Sequence, residues 1–97
     1  MITETYQRRF AGIQRLYGDK GGEVLRQAHF CVVGIGGVGS WAVEALARSG
    51  VGNITMIDFD EICETNINRQ LPALSSTIDQ KKCQVMAERI TLINEDC

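Results

Sequence analysis

Proline, histidine and tryptophan are scarce in this chain, which has one of each among 97 residues. The single proline excludes a proline-rich linker. No apolar run approaches the roughly 18 residues that a transmembrane helix needs, so we expect no membrane segment. A composition that is 44% hydrophobic and 23% charged predicts an ordinary globular chain.

Cysteine pairs and a basic excess are also missing. The lone His29 and four widely spaced cysteines form no zinc-ligand pattern, and we expect free thiols at Cys31, Cys63, Cys83 and Cys97. The net charge of −2 gives no sign of a nucleic-acid surface. Because the first ten residues lack the apolar core of a signal peptide, we expect a cytoplasmic protein.

Helical periodicity opens the chain. An apolar stripe predicts an amphipathic helix that ends near Gly18, and its members are Tyr6, Phe10, Ile13 and Tyr17. A break at Gly21-Gly22 and a short helix over residues 23–27 are expected to follow. We therefore predict a helical arm over residues 1–28, which packs either on its own domain or on a partner subunit.

A strand, a glycine-rich turn, a helix and a second strand come next. Residues 29–33 form a short β-branched run that predicts a buried strand, residues 38–49 are strong helix formers, and residues 53–58 predict the second strand. This order is a βαβ unit, whose strands lie parallel. We predict the α/β class, a Rossmann-like parallel sheet with flanking helices.

The last third of the chain is predicted to be irregular before it turns helical. Thr77-x-x-Gln80 matches a capping box, and a helical stripe follows at Cys83, Met86, Ile90 and Ile93. Doubly wound sheets typically carry about five or six strands, so the predicted sheet is incomplete. We expect residues 29–97 to be the first part of a nucleotide-binding domain in a larger protein.

A phosphate-binding motif lies between the first strand and the helix. Gly34, Gly36 and Gly39 satisfy G-x-G-x-x-G in the context that the motif demands. Such glycines let backbone N–H groups approach a phosphate at a helix N-terminus. Asp58 ends the second strand, where an acid can bind ribose hydroxyls.

Polar and basic residues follow this acid. Asn66, Arg69 and Gln70 come shortly after the second strand, and Lys81-Lys82 lies at the start of the last helix. A nucleoside triphosphate needs cations to offset its phosphate charge, whereas a dinucleotide needs little beyond the glycines and the acid. These residues therefore favour a triphosphate.

Four ordered motifs resemble the ThiF/MoeB/HesA superfamily of adenylating enzymes: GIGGVGS from Gly34, the acid pair Asp58 and Asp60, Asn-x-x-Arg-Gln from Asn66, and Lys82. The resemblance implies an ATP site with a nucleotide loop at Gly34, Gly36, Gly37 and Gly39. It implies ribose binding by Asp58, and triphosphate binding by Asn66, Arg69 and Lys82. Arg69 and Lys82 would also act in catalysis, and either Arg9 or Arg15 would match an arginine that reaches a partner's site.

Longer segments of the sequence, such as DFDEICETNINRQ, resemble one branch of this superfamily, which acts on threonylcarbamoyladenosine in tRNA. That resemblance implies adenylation of the substrate carboxylate, loss of pyrophosphate, and closure to a cyclic hydantoin without a protein nucleophile. It also implies a homodimer, sulfur-transfer partners and Mg²⁺ held by a residue beyond this segment. The 97 residues alone are then expected to be inactive.

Three other functions stay open at this point. The sulfur-carrier branches share the ATP residues and adenylate the carboxyl terminus of a ubiquitin-like protein. An NAD-binding oxidoreductase is disfavoured by Asn-x-x-Arg-Gln and Lys82. A non-catalytic nucleotide-binding or interaction module is the third alternative.

Overall fold

The computed structural model describes residues 2–97, and its elements follow the order of a βαβ unit flanked by further helices. The elements are α1 Glu4–Gln27, β1 His29–Val33, α2 Gly39–Arg48, β2 Asn53–Ile57, a short 3₁₀ helix Glu64–Asn66, and α3 Lys82–Ile93. The two strands pair in parallel, with Phe30 opposite Ile54 and Val32 opposite Met56. The predicted α/β class and the parallel pair are confirmed.

The core lies between one face of the sheet and two helices. Its buried side chains come from the turn after β1, from α2 and from α3, and they are Ile35, Val43, Ala47, Met86 and Ile90. Val32, Ile54 and Met56 pack against them from the strands. Because side chains alternate along a strand, these three residues share one face.

The opposite face of the sheet is exposed in the part of the chain that the structure describes. Val33 is 74% exposed and its partner Ile57 is 41% exposed. Cys31 and Thr55 lie exposed on the same face. Parallel sheets normally have both faces covered, so this exposure agrees with a domain of more strands and helices, which stays a prediction.

Helix α1 is two helical segments that meet at Gly18, where φ is 81°. The predicted helix end near Gly18 is confirmed, but the predicted break at Gly21-Gly22 is wrong because both glycines are helical. Their lack of side chains serves close packing instead. A Cβ at Gly21 would lie 2.8 Å from Cβ of Tyr17, and one at Gly22 would lie 2.9 Å from Cγ of Gln14.

The first segment of α1 packs on its own domain. The Tyr6 hydroxyl donates to the Gly50 carbonyl oxygen at 2.5 Å, and Phe10 is buried beside the same loop. Arg9 donates to the carbonyl oxygen of Ile93 at 3.1 Å. These contacts hold the arm against the loop before β2 and against the end of α3.

The predicted capping box at Thr77 is wrong, since α3 begins at Lys82 and the Gln80 side chain donates to the carbonyl oxygen of Ser76. The reason is a long-range pairing. Ile62 donates its N–H to the carbonyl oxygen of Gln80 at 2.8 Å and accepts from the Asp79 N–H at 2.9 Å. This pairing keeps residues 79–81 extended or turned, so the helix starts later.

An ion-pair network joins the two core helices. Glu44 of α2 accepts two hydrogen bonds from Arg89 of α3, each 2.8 Å, and one of 2.9 Å from Arg48. The hydrogen bonds from Arg89 are the main cause that lowers the pKa of Glu44 to about 2, against a smaller opposing effect of burial. The carboxylate is therefore more favourable in the folded chain than in the unfolded one.

Glu44→Gln is expected to remove a contribution to the free energy of unfolding that is present at neutral pH and lost in acid. A carboxyl with a lowered folded pKa stabilises above its unfolded pKa, near 4.3, and loses that contribution as the pH falls towards the folded value of about 2. The variant should lose about 1–2 kcal/mol at pH 7 and lose less at pH 3. Urea unfolding across this pH range measures the effect. The exposed Glu88→Gln is the control, and an equal loss for both variants at pH 7 would contradict the assignment.

Candidate functional site

The turn after β1 closes tightly on the carboxyl end of β2. Gly34 has a φ of 88°, a conformation that favours glycine, and its N–H donates to the carbonyl oxygen of Ile57 at 2.8 Å. A Cβ at Gly39 would lie 1.7 Å from the carbonyl oxygen of Gly34. Both glycines are therefore required by the chain's own geometry.

The other two glycines of the turn are not. A Cβ at Gly36 would lie 3.8 Å from Nε2 of Gln70, and one at Gly37 would lie 3.5 Å from Cγ and Cδ of Arg69. Both distances are ordinary contacts, and neither glycine has a positive φ. Packing within the described chain does not require glycine at either position, so the turn keeps room beside it that a ligand could occupy.

Asp58 connects the glycine turn to the segment after β2. Its Oδ2 accepts from the N–H of Ile35 at 2.7 Å, and its Oδ1 accepts from the N–H of Asp60 at 2.8 Å. Burial raises the pKa of Asp58, but these two amide hydrogen bonds and the charge of Lys82 outweigh it and leave the pKa below its usual value. A carboxylate with two amide partners keeps further lone pairs, which can accept from ribose hydroxyls.

A cleft of about 440 Å³ lies beside this acid, and its lining comprises Phe59, Asp60, Glu61, Cys63, Asn66 and Lys82. Lys82 is only 6% exposed, whereas the adjacent Lys81 is exposed. Asn66 is 9% exposed, and its Oδ1 accepts from the Cys63 N–H at 2.9 Å. The structure thus places two predicted residues, Asn66 and Lys82, in the lining of one cleft, and the charge of Lys82 also acts on Asp58.

Arg69 lies against the glycine turn. Its aliphatic stem runs beside Gly37, and its Nη1 donates to the Thr65 carbonyl oxygen at 3.0 Å and to Oδ1 of Asn68 at 3.1 Å. The side chain is exposed. Arg69 therefore presents a cation beside the turn, and its role in phosphate binding stays a prediction.

Gln70 and Ser40 belong to this site, although sequence reasoning gave neither a firm role. Gln70 is 7% exposed and its Oε1 has no hydrogen-bond partner within residues 2–97. Ser40 is fully buried; its hydroxyl donates to the Gly36 carbonyl oxygen and accepts from the Leu71 N–H at 3.2 Å. Ser40 directly follows the glycine motif and Gln70 directly follows Arg69, which was the available signal.

Arg9 lies at the opposite end of α3 from the cleft. It contacts Ile93 at the end of α3, whereas Lys82 begins that helix at the cleft. The helical rise separates these two ends by roughly 16 Å. The prediction that Arg9 or Arg15 serves a partner's site stays a prediction.

Residues 2–97 show neither a membrane-spanning helix nor a cluster of metal-ligand side chains. None of the helices described has the length and apolar character required to cross a bilayer. No three histidine, cysteine, aspartate or glutamate side chains of this range converge as metal ligands do. All four cysteines are free, as predicted.

A parallel βαβ unit with a glycine turn, an acid at the end of the second strand and a cleft beside it that holds a buried lysine defines the beginning of a nucleotide-binding α/β domain. Residues 6–97 match the model of the ThiF family. The chain belongs to the ThiF family.

Named relatives agree with this family. The chain is 63% identical over 94 residues to the tRNA threonylcarbamoyladenosine dehydratase of Haemophilus influenzae, which covers 97% of this chain and 36% of that protein. It is 37% identical over 82 residues to the molybdopterin-synthase adenylyltransferase of Escherichia coli, which covers 84% of this chain and 33% of that protein.

A solved structure is similar over the whole chain. The E. coli tRNA N6-threonylcarbamoyladenosine dehydratase, TcdA, in complex with ATP superposes with a TM-score of 0.98 at 55% identity, covering 100% of this chain and 40% of that one. The chain therefore spans 33–40% of the length of these relatives.

Proposed function

We propose that this chain is the nucleotide-binding first part of an enzyme that uses ATP to adenylate the carboxylate of threonylcarbamoyladenosine in tRNA and close it to the cyclic hydantoin. The observation that carries the proposal is the site at Gly36 and Gly37, where glycine is unexplained by packing and where Arg69 and Gln70 face the turn. The 63% identity to a dehydratase of that name supports the substrate.

The residues present fit ATP. Gly36, Gly37 and Gly39 would hold phosphate with backbone amides, and Gly34, whose own N–H donates to Ile57, would shape the turn. The Nε2 of Gln70, which lies 3.8 Å from the Cβ position of Gly36, is a donor beside them. Asp58 would accept from the ribose hydroxyls. When bound, ATP supplies the adenylyl group.

Positive charge for the phosphates would come from Arg69 and Lys82, with Asn66 as a neutral donor. Fixed cations stabilise the charge that develops on phosphate oxygens as pyrophosphate leaves. The burial of Lys82 strengthens its electrostatic effect, since the local dielectric constant is lower than that of water. Orientation and charge suffice for such a step, so no protein nucleophile is required.

Further parts of the proposal concern the whole protein. We propose the division into an arm over residues 1–28 and a Rossmann-like domain that begins at residue 29, together with a cytoplasmic homodimer. Mg²⁺ would be held by a residue outside this segment, and sulfur-transfer proteins are proposed as partners. The 97-residue segment alone is expected to lack activity.

Pyrophosphate exchange tests the substrate. The full-length protein should exchange labelled pyrophosphate into ATP when threonylcarbamoyl-modified tRNA is present, and should convert that nucleoside to its cyclic form. Unmodified tRNA is the matched control and should support neither reaction. Exchange with neither RNA nor protein substrates would favour a non-catalytic module.

A second candidate is adenylation of a sulfur-carrier protein, favoured by the 37% identity to a molybdopterin-synthase adenylyltransferase. The same exchange assay with a ubiquitin-like sulfur carrier in place of tRNA separates the two functions. Exchange with the carrier alone would replace the tRNA substrate in the proposal while leaving the ATP site intact.

A further inference from the structure

The helix after the glycine turn carries an exposed tryptophan whose indole N–H is used inside the molecule. Trp41 lies in the first turn of α2 and is 52% exposed. Its Nε1 donates to the backbone carbonyl oxygen of Arg69 at 3.0 Å, across 28 positions of sequence. A side chain that is half in solvent adds little to the core, so its main directed contact is the one with Arg69.

A second hydrogen bond holds the same segment two residues further on. The hydroxyl of the buried Ser40 accepts from the N–H of Leu71 at 3.2 Å while it donates to the carbonyl oxygen of Gly36. Adjacent residues of α2 thus fix the backbone on both sides of Gln70. These two hydrogen bonds fix the position of residues 69–71 relative to α2.

The position of the Arg69 side chain depends on how this backbone segment is held against α2. Its stem runs 3.5 Å from the Cβ position of Gly37, and its guanidinium bonds only backbone and amide oxygens of its own segment, at Thr65 and Asn68. No carboxylate holds the guanidinium through a salt bridge within residues 2–97. The backbone anchor therefore sets where this exposed cation lies.

We propose that Trp41 is a positioning residue, which holds Arg69 over the glycine turn so that its guanidinium meets the β- and γ-phosphates of ATP. This inference rests on the proposed ATP site and adds a residue to which no phosphate contact is assigned. Trp41 acts through the backbone of Arg69. Its effect is specific to ligands that reach Arg69.

Trp41→Phe tests the proposal because it keeps an aromatic ring and removes the N–H donor. In the full-length protein we expect ATP to bind about 5- to 10-fold more weakly, as for the loss of one directed hydrogen bond, while AMP binds within about twofold of the wild type. Calorimetric titration with each nucleotide measures the ratio. Thermal unfolding should show a native fold, and Tyr17→Phe, an exposed aromatic in α1, is the matched control for losing a polar group.

A double variant shows whether Trp41 acts through Arg69 or stabilises the site as a whole. If Trp41 acts through Arg69, Trp41→Phe should weaken ATP binding no further in an Arg69→Ala background. Unchanged ATP binding in the single variant, or an equal loss for ATP and AMP, would overturn the role of Trp41. Absence of ATP binding by the wild-type protein would instead overturn the proposed function itself.

Discussion

Gly39→Ala is expected to prevent the native fold around the glycine turn. The added Cβ would lie 1.7 Å from the carbonyl oxygen of Gly34 and 2.9 Å from its carbonyl carbon, both backbone atoms that no rotamer change can move. Gly34 is itself fixed by its hydrogen bond to Ile57. The turn and α2 would have to separate, and that costs more than about 3–4 kcal/mol, a large part of a small domain's stability.

Circular dichroism and urea unfolding measure this loss. Gly12→Ala is the matched control, since Gly12 is an exposed helical glycine whose Cβ would meet only Nη2 of Arg15 at 3.8 Å. That control should be neutral or stabilised by up to about 1 kcal/mol. A Gly39→Ala protein as stable as the control would show that the turn is not closed as described.

Lys82→Met is expected to abolish most ATP-dependent activity while it preserves the fold. Methionine matches much of the buried stem of Lys82, which is 6% exposed, but removes the charge. Loss of one phosphate-stabilising group from an active site typically lowers turnover by about 10²–10³-fold. The same change also removes one of the effects that lower the pKa of Asp58.

Lys81→Met provides a control at the adjacent position. Lys81 is exposed at the N-cap of α3 and does not line the cleft. We expect the activity of Lys81→Met to stay within about threefold of the wild type, because an exposed charge outside the cleft contributes little to it. Equal losses in the two variants by pyrophosphate exchange would remove Lys82 from its proposed role.

The βαβ unit was predictable because its signals are local. The β-branched run of β1, the helix formers of α2 and the glycines between them each favour one structure, and β1 was predicted with its observed bounds. Local patterns also led to errors. Thr77-x-x-Gln80 looked like a helix start, but pairing of Ile62 with the segment at Asp79 and Gln80 overrides it.

The site was predictable in part for the same reason. Motif spacing predicted Asp58, Asn66 and Lys82; the structure places Asn66 and Lys82 in the lining of one cleft, and the charge of Lys82 acts on Asp58. Their roles in nucleotide binding stay predictions. The contacts of Ser40 and Trp41 were not predictable, because each joins residues about 30 positions apart in sequence. Motif spacing does not indicate such long-range contacts.

The central claim is that the glycine turn is shaped for a nucleotide rather than for packing, and Gly37→Ala tests it most directly. A methyl group there would lie 3.5 Å from Arg69, an ordinary contact, so the fold should keep its stability. ATP would meet that methyl group. Thermal unfolding of the full-length variant should match that of the wild type. Calorimetric titration should show at least about tenfold weaker ATP binding by the variant. Wild-type affinity for ATP in the folded variant would contradict the account.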